Sequence, residues 1–282
     1  MTVKPFTVYL IIMLKLLVIA AILITAFFLG TAKSVTAQPL TANSFTLPDQ
    51  AVEVSPGTYY LGKAIHEGKQ VEGYAFIDYR GRSAKPSGAG KNAPSCYGFL
   101  ARGAKWKEVE SWQVNPTNTR GLEVTNILNT LSSAVTTWEG AAGQIVLGGG
   151  VTTDNQLVAD TSSPDDRNEV YFADIDSAGA ICVTIVWGIF GGPPQTRELV
   201  EWDQIYDDFD YNWSADCTAE NCTNTKMDFP SIAIHELGHA VGLDDLYETS
   251  CNQETMYGYA DYGETHKRDL GTGDIAGVSS LY

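Results

Sequence analysis

The chain has 282 residues, 44% of them hydrophobic, enough for one core of ordinary domain size with an appendage and too few for two large domains. Acidic residues outnumber basic ones 34 to 18, and the formal charge of -16 argues against nucleic acid or an anionic lipid surface as a partner.

Residues 1–37 read as an export segment. Lys4 precedes an apolar run, Lys15 interrupts it, and residues 16–30 are strongly hydrophobic. Small residues at Val35-Thr36-Ala37 suit signal cleavage after Ala37, while residues 8–30 together could instead span a bilayer as a retained anchor. Both readings place the rest of the chain outside the cell, secreted or tethered, and the anchor is the only membrane contact expected.

Residues 38–105 are rich in Gly, Ser, Pro and Lys, with an exposed loop at 80–94 and short strands at 58–61 and 71–77. A propeptide, an N-terminal extension and a small β subdomain all fit this stretch. Residues 106–282 read as the main domain. A strand at 110–114 stops at Asn115-Pro116. A helix follows within 119–140, where Ile127, Leu128, Leu131, Ala134, Val135 and Trp138 form one stripe. Strands are expected at 144–147, 169–173 and 180–187, the last apolar throughout and therefore central. Residues 197–213 mix aromatics with acids and suggest an edge strand and its loop. A second helix at 231–241 is preceded by Asp228 and Pro230 and followed by Gly242. In the closing helix at 272–281, Thr272 caps, Asp274 lies in the first turn, and Ile275, Val278 and Leu281 share a face. The expected fold class is α/β of the α+β kind, with one twisted mixed sheet and about three helices.

The segment His235-Glu236-Leu237-Gly238-His239 stacks two imidazoles on one helix face, at a spacing one zinc ion can bridge. Glu236 projects beside them, where a carboxylate can take a proton from an attacking water. Gly242 lets the chain leave the helix with positive φ, and Asp245, six residues after His239, supplies a third donor. Asp244 is the alternative to Asp245. Five cysteines in an exported chain can pair, and a bridge from Cys251 to Cys217 or Cys222 would staple this region; Cys182 reads as a buried thiol. Asp154, Asp160, Asp165, Asp166, Asp174 and Asp176 sit in Gly/Ser-rich turns, as calcium ligands or as solvated loop acids.

The run His235 to Asp245, HELGHAVGLDD, resembles the extended zinc motif of the metzincins, with Asp245 where most members have a third histidine, as in snapalysins. Glu254-Thr255-Met256-Tyr257-Gly258 is similar to their Met-turn, and residues 201–214 and 273–282 resemble matrixin segments. The resemblance covers residues 106–282. It implies a zincin-like fold and a zinc endopeptidase with a peptide or protein substrate bound extended along an edge strand. In it His235, His239 and Asp245 are the ligands and Glu236 is the base. Pro94-Ser95-Cys96-Tyr97-Gly98 only faintly echoes a cysteine switch, and Tyr257 or Tyr259 stands where an oxyanion-binding tyrosine could. A surface-attached zinc-binding protein without proteolytic activity, and a zinc hydrolase of non-peptide amides, are the competing readings.

Overall fold

The computed structural model describes residues 43–81, 96–218, 220–222 and 224–282, so the export segment lies outside the described residues. None of the described helices is long and apolar enough to cross a membrane. In chain order the strands are β1 (Ser44–Phe45), β2 (Val52–Ser55), β3 (Thr58–His66), β4 (Lys69–Arg80), β5 (Gly98–Phe99) and β6 (Glu110–Val114). Helix α1 (Val124–Ala142) is followed by β7 (Leu147–Thr152), β8 (Asn168–Ile175), β9 (Ala180–Ile189) and β10 (Glu198–Asp207). Then come β11 (Trp213–Ser214), β12 (Met227–Asp228), α2 (Phe229–Ala240), β13 (Leu243–Asp244), β14 (Tyr259–Ala260) and α3 (Thr272–Leu281).

The main sheet runs β2-β3-β4-β9-β10-β8-β6-β7, with β1 added to β8 and β14 to β4. Strands β10, β8, β6 and β7 are mutually parallel, while β9 is antiparallel to β10. The hairpin β3–β4 lies beyond β9, with β4 antiparallel to it from Glu72 opposite Gly188 to Tyr79 opposite Ala180. The fold is thus mixed α/β with one twisted mixed sheet and, among the described residues, three helices. Strand β9 is buried almost throughout, which explains its unbroken apolar run: both faces are covered. On one face Ile127, Leu131 and Trp138 of α1 pack with Ile232, Ala233 and Leu237 of α2. On the other, Ala75 and Ile77 of β4 meet Val183 and Ile185 of β9 and Phe45 of β1.

Several expectations shift. Composition sets residues 38–105 apart from 106–282, yet β2–β4 enter the same sheet, and Ala42–Tyr282 forms one compact unit with no boundary at 105. The strand within 197–213 is interior, between β9 and β8, not at an edge. Its acids are accommodated because backbone amides meet them: Asp165 and Asp166 N–H reach Glu201 Oε2 at 2.6 Å, and Asp160 N–H reaches Asp203 Oδ2 at 2.8 Å. The first helix begins only at Val124, since Thr119 and Arg120 are bonded to Asp208. In α3, Ile275 faces solvent and Asp274 is buried instead, while Val278 and Leu281 pack inward as expected.

Candidate metal centre

Helix α2 starts at Asp228, whose carboxylate accepts the Ser231 N–H at 3.0 Å, with Pro230 in its first turn. It ends at Val241, and Gly242 follows with φ +104, the positive value that its place after the histidines requires. His235, Glu236 and His239 are all fully buried. His235 Nδ1 lies 2.6 Å from the Thr255 carbonyl and His239 Nδ1 lies 3.0 Å from the Leu243 carbonyl. A carbonyl only accepts, so each Nδ1 carries the proton and each Nε2 keeps a lone pair aimed inward.

Asp245 Oδ1 is 3.3 Å from His235 Nε2 and 3.6 Å from His239 Nε2, and the three side chains form one group of converging donors. Asp244 does not join it; its Oδ1 accepts the Asp245 N–H at 3.0 Å. A carboxylate that sequence reasoning missed is Asp78 of β4, whose Oδ2 lies 3.2 Å from His235 Nε2 and which groups with His235 and Glu236 rather than with His239 and Asp245. His235 Nε2, His239 Nε2, Asp245 Oδ1 and Asp78 Oδ2 are all buried without a hydrogen-bond partner. Such orphaned atoms are costly unless something meets them. Tetrahedral zinc with ligands at about 2.0–2.1 Å separates its donors by about 3.3 Å, and the printed spacings bracket that figure. The residues therefore fit a zinc ion.

Glu236 Oε2 accepts a hydrogen bond from Thr184 Oγ1 of β9 at 2.5 Å, while Oε1 has no partner. Burial, and then the Asp78 charge, push the Glu236 carboxyl pKa upward. His239 is shifted downward by burial, which favours the neutral ring a ligand needs. For His235 burial acts in the same sense, but the facing Asp78 outweighs it and raises the pKa. Lys267 is buried beneath the site, with Nζ 3.3 Å from His235 Nδ1 and bonded to the Tyr257 carbonyl. Its positive charge offsets part of the negative charge of Asp78, Glu236 and Asp245.

Met256 is buried under the histidine helix, and a Cβ on Gly238 would sit 2.1 Å from its Sδ and 2.9 Å from Trp138. Only glycine allows that approach. The turn is tied to α3 by Asp274, which accepts the N–H groups of Thr255 at 2.6 Å and Met256 at 3.2 Å. Tyr247 O–H lies 3.0 Å from Asp245 Oδ2 and also contacts the Pro56 carbonyl before β3. The disulfides correct the expected pairing: Cys251 is bonded to Cys96, and Cys217 to Cys222. Cys217 and Cys222 are five apart and close locally, leaving Cys251 to the chain that enters β5, so Cys96 is no free thiol to block a metal. Cys182 is free and buried.

A second carboxylate group forms where Asp160 and Asp165 meet Glu201 of β10. Asp154 and Asp166 are not in it, and Asp174 and Asp176 line a separate hollow with Asp210. Glu201 is fully buried and its Oε1 has no partner; burial raises its pKa to about 9, and raises that of Asp160 to about 6.

Residues 193–282 match the matrixin family model. A stretch of 51 residues is 43% identical to the macrophage metalloelastase of Oryctolagus cuniculus, covering 18% of this chain and 10% of that protein. The matched region holds β10, the histidine helix, the methionine turn and α3, and over residues 193–282 the chain is matrixin-like.

Proposed function

We propose that this protein is a zinc metalloendopeptidase acting on extracellular proteins, with His235, His239 and Asp245 as ligands and Glu236 as the general base. The observation that carries the reading is the convergence of three unpartnered buried donors beside the free Oε1 of Glu236. Zinc bound there would supply Lewis acidity to a scissile carbonyl and to water. Glu236 takes a proton from the attacking water and passes it to the leaving amine, and its upward-shifted pKa suits that exchange near neutrality. The Thr255 carbonyl holds His235 in place from behind. Export and a calcium ion at Asp160, Asp165 and Glu201 belong to the same reading; the unpartnered Oε1 of Glu201 supports the second ion.

The second reading, a surface-attached zinc-binding protein without activity, draws on Asp78, a further buried carboxylate beside His235. Zinc content and casein cleavage decide. The expected result is one zinc per chain, kept in Glu236→Ala and lost in Asp245→Ala, with cleavage abolished in both variants and by chelators. A chain that folds yet binds no zinc sinks the proposal. Cleavage by Glu236→Ala at the unmutated rate removes Glu236 as the base.

A further inference from the structure

Helix α2 packs on β9, and one polar contact between them reaches the side chain assigned as the base. Side chains alternate along a strand, so Cys182, Thr184 and Val186 of β9 share the face toward α2, while Val183 and Ile185 lie in the opposite core. Glu236 follows His235 by one residue, about 100° around the helix, which turns it toward that strand face. There Thr184 Oγ1 donates to Glu236 Oε2 at 2.5 Å, and both residues are fully buried.

The nearest competing acceptor is already engaged. Gln204 of β10 stands opposite Thr184 in the strand register, and its Oε1 takes the Tyr206 O–H at 3.0 Å. The Thr184 proton is thus left to Glu236. The second carboxylate oxygen, Oε1, is buried and has no hydrogen-bond partner. A threonine is stiff about χ1 because two heavy atoms branch at its Cβ, whereas a glutamate turns about three bonds and stays in one rotamer only where contacts hold it. The stiff residue, on an interior strand, therefore fixes the flexible one.

Resting on the zinc peptidase reading, we propose that Thr184 is the positioning residue for Glu236: its hydroxyl occupies Oε2 and leaves Oε1 as the oxygen that exchanges the proton. That proton passes from the attacking water to Glu236 Oε1 and from there to the leaving amine nitrogen, while the Thr184 hydrogen bond stays in place. Held at one oxygen, the carboxylate neither swings away nor exchanges its two oxygens. Misplacing a reacting group by about 1 Å costs on the order of 100-fold in rate.

The test uses the full chain with Thr184→Val, which keeps the branched shape and removes the hydroxyl, and Thr184→Ser, which keeps the hydroxyl. Glutamate is labelled with a stable carbon isotope, and the Glu236 γ-methylene signal is assigned by its loss in Glu236→Gln. In the metal-free proteins, wild type and Thr184→Ser should give two separate γ-proton shifts, from one held rotamer, and Thr184→Val an averaged pair. In the zinc-loaded proteins, kcat for a casein-derived peptide should fall by about 10- to 100-fold in Thr184→Val at unchanged KM and recover in Thr184→Ser. Circular dichroism and zinc stoichiometry equal to wild type show that each variant is folded and loaded. Averaged γ shifts in wild type, separate shifts in Thr184→Val, or an unchanged kcat in Thr184→Val each overturn the positioning role and leave the zinc reading intact. Zinc uptake by none of the folded proteins overturns both.

Discussion

Tyr247 shows how a single side chain outside the metal motif governs the site. Its hydroxyl sits between Asp245 Oδ2 and the Pro56 carbonyl, so it orients the carboxylate proposed as the third ligand. Groups that orient a ligand typically contribute 10- to 100-fold to metal affinity. Tyr247→Phe removes the donor with little change of volume, and zinc affinity, measured by competition with a chromophoric chelator, should fall by about that factor. An affinity equal to wild type would mean that Asp245 is positioned by its backbone alone. Gly238 acts at the same scale by absence: with no Cβ, Met256 and Trp138 close on the helix beneath the histidines.

At the level of elements, β10 and the segment before β8 share a strained set of charges. Glu201 and Asp160 have folded-state pKa values of about 9 and about 6, both above those of the same groups in an unfolded chain. Groups shifted upward stabilise the fold fully below the unfolded pKa, and that contribution is lost as pH rises through the folded values. Without a divalent cation, the melting temperature should therefore fall between about pH 4 and pH 9. Calcium added at pH 8 should recover much of the loss, because it meets the same oxygens that protons meet at low pH. Glu201→Gln should flatten the pH dependence and abolish the calcium response. A wild type that melts equally at pH 5 and pH 8, with or without calcium, would show that the backbone amides around Glu201 and Asp203 already suffice.

For the whole molecule, the question is what holds residues 43–81 to the rest. Strand β4 is bonded to β9 and β14, β1 to β8, and Phe45, Leu61, Val71 and Ile77 are buried in the second core. The Cys96–Cys251 bridge anchors the chain that enters β5 near the methionine turn. A single engineered cut between residues 81 and 96 should accordingly leave two pieces that co-elute in gel filtration at neutral pH and separate only in denaturant. Separation without denaturant would mean that strand pairing is too weak to hold residues 43–81 to the rest once the chain is cut.

Much of the centre was legible because its chemistry is local. His235, Glu236, His239, Gly242 and Asp245 lie within three turns of backbone, where helical spacing and one positive-φ glycine dictate who can meet whom. The apolar stripe of α1 and the continuous run of β9 were readable for the same reason, since burial imposes a period on neighbouring residues. Asp78, Lys267 and the Cys96–Cys251 bridge were not, because each acts across a long loop and carries no local signature. The acids of β10 even misdirected the reading: charge suggests an exposed edge unless distant backbone amides come to meet it, as those of Asp160 and residues 165–167 do. The sequence by itself placed the candidate donors on and after one helix. Only the tertiary structure decided that a strand from the N-terminal part closes over it, because strand pairing partners are chosen by the whole fold, whereas helix neighbours are chosen by the chain.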